Sequence, residues 1–365
     1  MRIAVVMGTR PEAVKMCPLI KELQTRAGIE VSVCLTGQHR DMMEGVVEAF
    51  SVTPHADLSV MQEGQTPAWV VSAVLEKFPR FLAAARPDVV LVHGDTATAL
   101  AAALASFLER VPVGHVEAGL RTYDVTAPFP EEFNRRAVAL AAAYHFAPTE
   151  RARDNLLREG IDGDSVFVTG NTGIDALRYT VRDDFTHPLL AAAEGKRLIL
   201  VTAHRRESAG APMERMLRAV RAAVESDPRA VAVYPVHKNP AVRATAERVF
   251  AGCRRVILTK PQDVVTFHNL LARCYLVLTD SGGIQEEAAA LGKPVLVMRE
   301  TTERPEGETA GGLRTVGTDG EKITRAFRLL MDDEGAYRAM ATAPNPFGDG
   351  HASERIADIL TGQRT

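Results

Sequence analysis

Cysteine and long hydrophobic runs are both scarce in this chain of 365 residues. Its 4 cysteines form no CxxC pair and no Cys/His cluster with zinc spacing, which is typical of a protein in a reducing cytoplasm. We expect ordinary core or surface thiols at Cys17, Cys34, Cys253 and Cys274. The longest helical apolar stretch, residues 97–108, is shorter than the roughly 18 residues that cross a bilayer. We therefore expect a cytoplasmic protein with no membrane partner.

An excess of charge of one sign is also missing. Lys and Arg number 43 against 46 Asp and Glu, which gives a formal net charge of -3 at pH 7. No overall field draws the chain to nucleic acid, so any anionic ligand must be held by a local site. Neither GxGxxG nor GxxxxGK[ST] occurs, which weakens a dinucleotide or P-loop interpretation.

What the sequence does contain is an alternation of short β-branched runs with Ala- and Leu-rich helical stretches, which indicates parallel βαβ units. The predicted strands are residues 3–7, 31–35, 89–92, 113–116 and 166–168, and then 198–202, 231–236, 255–258, 276–279 and 295–298. A tight hinge is expected near residues 169–173. The pattern predicts an α/β protein with two Rossmann-like domains, residues 1–170 and 171–350, facing a central cleft.

Ligands of open parallel sheets bind at the carboxyl ends of the strands, so we examined the residues that follow each run. Arg10 and Lys15 come after the first strand, where Pro11 suits the first helical turn. Such a helix start attracts anions, and both cations are candidates for a phosphate or diphosphate. The alternative is an ordinary solvated pair on a surface helix.

Three carboxylates, Asp95, Glu117 and Glu131, follow strand ends or open a helix. Together they form a candidate acid/base set, because an acidic group after a buried strand can be tuned for proton transfer. Asp95 can alternatively cap a helix, and Glu131 can favour a helix dipole, whereas Glu117 has no capping role. His93 and His115 lie inside strand-like runs, and we expect them to be core histidines.

The second half carries basic and small residues after its strands. His204 follows one strand, and Arg304 lies beyond another. At Ser281-Gly282-Gly283 a strand ends and a helix begins, and small residues let a diphosphate approach backbone N–H groups. Glu287, about one helical turn further, can accept two hydrogen bonds from a ribose diol. The pattern favours a ligand with a nucleoside diphosphate.

Seven blocks in order resemble the non-hydrolysing UDP-N-acetylglucosamine 2-epimerases of bacteria. They are residues 8–12 (GTRPE), 93–95 (HGD), 114–121 (GHVEAGLR), 130–132 (PEE), 204–207 (HRRE), 280–287 (DSGGIQEE) and 302–306 (TERPE). The resemblance extends from residue 3 to about residue 350 and implies the GT-B fold, with a C-terminal helix in residues 351–365 packing back on the first domain. It also leads us to expect a homodimer.

Carried over position by position, the resemblance implies catalytic roles for Asp95, Glu117, Glu131 and His204. It implies substrate contacts for Arg10, Lys15, Gln262, Phe267, Ser281, Gly282, Gly283, Glu287 and Arg304. Gln262 and Phe267 rest wholly on the resemblance, which assigns them to the uracil, whereas the pattern alone predicts that Phe267 is a core residue.

The implied reaction is reversible epimerisation at C2 of UDP-N-acetylglucosamine to UDP-N-acetylmannosamine, through elimination of UDP to 2-acetamidoglucal and its re-addition. Departure of UDP acidifies the C2–H bond, and the two faces of C2 require two proton carriers. No hydride moves, so we expect no nicotinamide and no metal. The alternatives are a 2-epimerase of a related UDP-2-acetamido or 2,3-diacetamido sugar, a GT-B glycosyltransferase and a UDP-sugar sensor.

One departure from the family pattern concerns regulation. Some relatives bind a second UDP-N-acetylglucosamine through segments that correspond here to Gln38-His39-Arg40 and Gly64-Gln65-Thr66. Gly64 replaces an Arg and Asp41 replaces a neutral Gln. These two changes make the local charge more negative by about two units, which disfavours binding of a diphosphate. We therefore expect weak or absent activation by this effector.

Overall fold

The computed structural model describes residues 1–38, 40–62, 64–204 and 210–362. Its contacts divide the chain into an N-terminal unit, Met1–Tyr179 with Phe347–Thr365, and a C-terminal unit, Thr180–Pro346. Each unit is a parallel sheet with helices in its connections, because the β-branched runs and the helical stretches alternate as βαβ units require.

The N-terminal unit contains a seven-stranded parallel sheet in the order β3-β2-β1-β4-β5-β6-β7. Its strands are β1 (Arg2–Met7), β2 (Glu30–Leu35), β3 (Ala56–Asp57), β4 (Val89–His93), β5 (Val113–Val116), β6 (Tyr144–Ala147) and β7 (Val166–Val168). Its helices are α1 (Arg10–Thr25), α2 (Arg40–Ala49), α3 (Pro67–Ala85), α4 (Ala97–Leu108), α5 (Glu131–Ala141), α6 (Glu150–Arg158) and α7 (Thr172–Thr180), with a 3₁₀ turn at Gly163–Ser165.

The core of this unit lies between the sheet and helices α3 and α4. Val6, Val90 and Val92 are buried there with Phe78 and the alanines of α4. Val- and Ile-rich strands of this kind are expected where both faces of a parallel sheet are covered. Gly114 in β5 has no room for a side chain, because a Cβ atom there would lie 2.6 Å from the Leu91 Cδ2 atom.

The C-terminal unit contains a six-stranded parallel sheet in the order β10-β9-β8-β11-β12-β13. Its strands are β8 (Arg197–Thr202), β9 (Ala230–Pro235), β10 (Val256–Thr259), β11 (Leu276–Thr279), β12 (Val295–Val297) and β13 (Leu313–Thr315). Its helices are α8 (Pro188–Ala191), α9 (Ala211–Ser226), α10 (Pro240–Val249), α11 (Val264–Arg273), α12 (Gly282–Ala290), α13 (Pro305–Ala310), α14 (Gly320–Asp332) and α15 (Glu334–Ala341). Helices α9 and α14 bury their apolar faces on this sheet.

The chain returns to the N-terminal unit through its last helix, α16 (Ala352–Thr361). This helix packs on α1, where the Arg26 Nη1 atom lies 2.8 Å from the Asp358 Oδ1 atom. The predicted α/β class with two parallel sheets is confirmed. Across the described ranges, no helix is long and apolar enough to span a bilayer.

Candidate active site

The Glu117 carboxylate lies at the carboxyl end of the N-terminal sheet. Strands β4 and β5 end side by side, with His93 opposite Val116, and Glu117 follows directly. The φ angle of Glu117 is 62°, in the left-handed region, and this conformation costs a non-glycine residue about 1–3 kcal/mol. At Gly119, whose φ is 89°, a Cβ atom would lie 2.1 Å from the Ala152 carbonyl oxygen, so the segment after Glu117 lies directly against the backbone of α6.

Two donors from distant parts of the chain hold this carboxylate. The Lys15 ammonium forms an ion pair with the Glu117 Oε2 atom, and the two side chains are 9% and 10% exposed. The Asn171 amide nitrogen donates to the same oxygen at 2.8 Å. Charge-assisted bonds of this kind fix the orientation of the carboxylate and stabilise its negative charge.

A neutral histidine adjoins the Glu117 carboxylate. The His93 Nε2 atom lies 3.7 Å from Glu117 Oε2 and, within the part of the chain that the structure describes, has no hydrogen-bond partner. Burial lowers the pKa of His93 to about 4, against the opposing charge of Glu117. His115 is also buried, and its Nε2 atom lies 2.8 Å from the Gly94 carbonyl oxygen. Both histidines are therefore buried in the core as predicted, but they are not fully satisfied, because His93 Nε2 and His115 Nδ1 have no hydrogen-bond partner among the described residues.

Asp95 is bound to helix α5. The Arg135 guanidinium donates to Asp95 Oδ2 from Nε at 3.0 Å and from Nη2, and the Asn134 amide donates to the Asp95 carbonyl at 2.8 Å. The cap of α4 is Thr96, whose hydroxyl accepts from the Ala99 N–H. The alternative of Asp95 as the helix cap is therefore wrong, and Arg135 is a partner that the sequence did not indicate.

Glu131 is the first residue of α5, one helical turn before Arg135. Its side chain is half-buried, and we find no hydrogen bond or ion pair to its carboxylate from any residue that the structure describes. A carboxylate at this position is favoured by the positive end of the helix dipole. Through Arg135 and Asp95, α5 brings this helix start to the strand ends that carry Glu117.

Arg10 is the first residue of helix α1. The N-cap is Thr9, and the buried Glu12 completes a capping box with it. The Glu12 carboxylate accepts from the Gly8 and Thr9 N–H groups at 3.0 and 2.7 Å, and from the Thr96 hydroxyl at 2.6 Å. Burial raises the pKa of Glu12, and these bonds oppose the rise. Glu12 therefore fixes the loop that carries Arg10.

In the C-terminal unit, a buried aspartate orients His204. The His204 Nδ1 atom lies 3.1 Å from the Asp280 Oδ1 atom, and the His204 N–H donates to Asp280 Oδ2 at 2.7 Å. The Asp280 side chain is fully buried, whereas that of His204 is 38% exposed. The Asp280 contact at Nδ1 leaves Nε2 on the opposite side of the imidazole ring. Sequence reasoning gave Asp280 no role, although the residue directly follows strand β11 and precedes Ser281.

The small residues at the start of α12 make room for a buried arginine. Ser281 is the N-cap of this helix, and a Cβ atom at Gly282 would lie 2.5 Å from the Arg304 Nη1 atom. Arg304 is 8% exposed, and its Nε atom donates to Glu286 Oε1 at 2.5 Å. The first turn of α12, which also contains Gly283, thus presents backbone N–H groups next to a fixed guanidinium.

The remaining predicted contacts lie on and around α11. The Glu287 Oε2 atom is 3.6 Å from His268 Nε2. The Gln262 amide donates to the Thr259 hydroxyl at 3.1 Å and to the Lys260 carbonyl at 2.6 Å. Phe267 is only partly buried, so the pattern-based prediction of a core position is wrong.

Several further predictions depend on residues for which little structure is described. His39, residues 205–207 and the side chains of Arg40 and Asp41 lie outside the described part of the chain. Gly64 has a φ of 70°, and a Cβ atom there would have no neighbour within 4 Å. In the described ranges, no three His, Cys, Asp or Glu side chains are grouped so as to hold a metal ion.

The two parallel sheets, each with polar side chains at the carboxyl ends of its strands, define an α/β protein of the GT-B type. The sequence model described as UDP-N-acetylglucosamine 2-epimerase matches residues 21–361. The chain belongs to that family, as its sequence motifs predicted.

Individual relatives agree with this assignment. The UDP-N-acetylglucosamine 2-epimerase of Bacillus subtilis is 50% identical over 360 residues, covering 99% of this chain and 95% of its own. A crystal structure from Listeria monocytogenes superposes with a TM-score of 0.96 at 48% identity, covering 100% of this chain and 96% of that one. The enzyme of Neisseria meningitidis bound to UDP-GlcNAc has a TM-score of 0.94 at 41% identity, covering 99% and 100%.

Proposed function

We propose that this chain catalyses the reversible epimerisation at C2 of UDP-N-acetylglucosamine to UDP-N-acetylmannosamine, by eliminating UDP to 2-acetamidoglucal and adding it back. The observation that carries the proposal is the Glu117 carboxylate, which Lys15 and Asn171 hold beside the neutral His93, on a residue whose own backbone is in the left-handed region. The activity for which the relatives are named and the sugar nucleotide bound to the Neisseria enzyme support it.

We assign the proton transfers to the carboxylates of the N-terminal unit. One carboxylate takes the C2 proton while the C1–O bond breaks and UDP leaves with the bonding electrons. In the return step a UDP oxygen attacks C1, and a proton reaches the opposite face of C2. Glu117, Asp95 and Glu131 are the proposed carriers, and their different partners set them apart: Lys15 and Asn171 for the first, Arg135 for the second.

We assign stabilisation of the leaving diphosphate to groups of the C-terminal unit. His204, oriented by Asp280, and Arg304, fixed by Glu286, would stabilise its charge together with Ser281, Gly282 and Gly283 at the start of α12. Glu287 is assigned to the ribose, and Gln262 and Phe267 to the uracil. From the N-terminal unit, Arg10 is assigned to the diphosphate. Lys15 keeps Glu117 charged in addition to its assigned ligand contact.

A homodimer is part of the proposal, and one apolar surface of the N-terminal unit supports it. Helices α4 and α5 pack together and expose Leu104, Phe107, Leu108, Phe133 and Leu140, of which Leu140 is 80% and Leu108 67% exposed. Large apolar side chains exposed on two neighbouring helices favour an interaction site over an ordinary solvated surface. Leu108→Asp with Leu140→Asp should give a monomer in sedimentation velocity, whereas an unchanged sedimentation coefficient would contradict this surface.

We place the enzyme in the cytoplasm, where its product would supply the synthesis of a cell-envelope polysaccharide. The direct test of the proposed activity is incubation with UDP-N-acetylglucosamine alone, followed by NMR of the products. UDP-N-acetylmannosamine should form with the wild type and not with Glu117→Gln. Absence of any epimer would favour a glycosyltransferase, which needs an acceptor. Free N-acetylmannosamine would indicate a hydrolysing enzyme, and reaction only with a diacetamido sugar would move the assignment to a related epimerase.

A further inference from the structure

The chain leaves the N-terminal unit after Tyr179 and returns to it at Phe347. Near these points two segments of the N-terminal unit, residues 169–173 and 347–350, lie against each other, and we call this contact the connector crossing. The Asn171 N–H donates to the Phe347 carbonyl at 2.8 Å. Gly170 and Gly348 have φ angles of 88° and 128°, and a Cβ atom on Gly348 would lie 3.2 Å from the Gly170 Cα atom. The two backbones are therefore in direct contact.

The side chain of Asn171 extends from this crossing to the Glu117 carboxylate. It is 3% exposed, and its Oδ1 atom accepts from the Gly173 N–H at 2.8 Å. Because a backbone N–H can only donate, this contact identifies the amide oxygen and directs the amide NH₂ group to Glu117 Oε2 at 2.8 Å. The backbone of the crossing thus determines that the Glu117 carboxylate faces the NH₂ group of the Asn171 amide and not its oxygen.

The same segment also contacts the second group that holds Glu117. A Cβ atom at Gly173 would lie 3.4 Å from the Cγ and Cε atoms of Lys15, so the aliphatic part of Lys15 packs over this glycine. The Lys15 ammonium then reaches Glu117 Oε2. Residues 171–173 therefore supply one of the described donors to the carboxylate and pack against the other.

We propose that Asn171 is a positioning residue for the reaction, through which the connector crossing fixes the orientation and the charge of the Glu117 carboxylate. This inference rests on the proposed function, in which Glu117 carries a proton. The competing role is purely structural, because Asn171 precedes α7 and its Oδ1 atom bonds the second N–H of that helix.

Two substitutions separate these roles, because serine and aspartate both cap helices well. Asn171→Ser keeps a capping oxygen and removes the NH₂ donor, while Asn171→Asp keeps the oxygen and sets a second carboxylate beside Glu117. With UDP-N-acetylglucosamine as substrate, we expect kcat to fall about 10- to 100-fold in Asn171→Ser and further in Asn171→Asp, as for loss of a hydrogen bond to a charged group. KM should change much less than kcat.

The pH profile supplies a readout that a helix cap would not move. In Asn171→Asp the acidic limb of kcat should shift to higher pH, because a like charge makes ionisation of Glu117 harder. Among the residues that the structure describes, Lys15 on α1 and His93 at the end of β4 lie at the Glu117 carboxylate, and Asp95 acts electrostatically on His93. These groups are the same in both variants.

The matched control is Asp175→Asn, on the same helix and one turn further along. The Asp175 carboxylate accepts from the Ser353 and Ala352 N–H groups at 2.7 and 3.3 Å and caps α16. This variant should lower the melting temperature and leave kcat and its pH profile as in the wild type.

The results separate a failure of the proposed function from a failure of the positioning role of Asn171. If the wild-type chain does not epimerise, the proposed function fails. If the wild type turns over and both Asn171 variants match it in kcat and pH profile, the positioning role fails and Asn171 is only a helix cap. The role also fails if Asp175→Asn loses kcat to the same extent as Asn171→Ser for an equal fall in melting temperature.

Discussion

Replacing Arg304 by Ala should reduce both the stability of the C-terminal unit and its affinity for UDP, for different reasons. Arg304 is 8% exposed, and its partner Glu286 is 2% exposed, with 2.5 Å between Arg304 Nε and Glu286 Oε1. Breaking a buried ion pair by removing one partner costs about 3–5 kcal/mol. Glu303, whose Oε2 atom lies 3.5 Å from Arg304 Nη1, adds little to this cost, because Arg299 still donates to it at 2.7 and 3.2 Å.

The affinity loss has a separate origin and size. The guanidinium lies against the first turn of α12, where a Cβ atom at Gly282 would be 2.7 Å from Arg304 Cζ. Loss of a charged hydrogen bond to the diphosphate costs about 1.5–3 kcal/mol, or roughly 10- to 150-fold in the dissociation constant of UDP.

A second substitution separates the two effects. In Arg304→Ala the buried Glu286 carboxylate loses the Arg304 guanidinium. Adding Glu286→Gln removes that buried charge. The double variant Arg304→Ala/Glu286→Gln should therefore recover most of the stability and none of the UDP affinity. Thermal unfolding gives the first quantity and calorimetric titration with UDP the second. Wild-type UDP affinity in the double variant would refute the reasoning and make Arg304 a structural residue.

Three further predictions follow from the structure. Glu117→Gln and Glu131→Gln should each lose about a hundredfold or more in turnover. Glu131→Gln should keep the wild-type melting temperature, because no described residue bonds its carboxylate, and a large fall would contradict the described geometry. Burial lowers the pKa of His93 to about 4 in the folded chain, against about 6.5 when unfolded. The unfolded chain therefore takes up the extra proton as the pH falls from about 6.5 to about 4, so stability falls through this window. His93→Gln should lose less stability than the wild type between pH 7 and pH 5 in urea titrations, and equal losses would refute this. With Gly64 in place of the family's Arg, the reverse reaction should start without a lag, and a lag abolished by trace UDP-N-acetylglucosamine would contradict weak effector control.

The long buried strands of this fold could be predicted because local sequence determines them. Strands β1 and β4 are mostly apolar runs rich in Val, and apart from Arg2 their residues are buried. Strands β3 and β13 were not predicted, because they have 2 and 3 residues and contain the polar Asp57 and Arg314. Strand β6 was missed because His145 interrupts its apolar pattern. Pairing with neighbouring strands defines all three, and β6 also contains the strand formers Tyr144 and Phe146.

The candidate site shows the same division between local and distant information. Glu117 could be singled out because it follows a strand and has no capping role. Asn171 and Arg135 could not, because they bind Glu117 and Asp95 across 54 and 40 residues of sequence. Glu12 carried a local signal, since Thr9-x-x-Glu12 is a capping-box pattern.

The most direct test of the central claim is NMR of the sugar nucleotides after reaction with UDP-N-acetylglucosamine in heavy water. Elimination and re-addition pass the C2 proton to a carboxylate and return a proton that has equilibrated with the heavy water, so deuterium should appear at C2 of UDP-N-acetylmannosamine and, at equilibrium, of the recovered UDP-N-acetylglucosamine. Epimer formation with the original hydrogen retained at C2, or no epimer at all, would contradict the account.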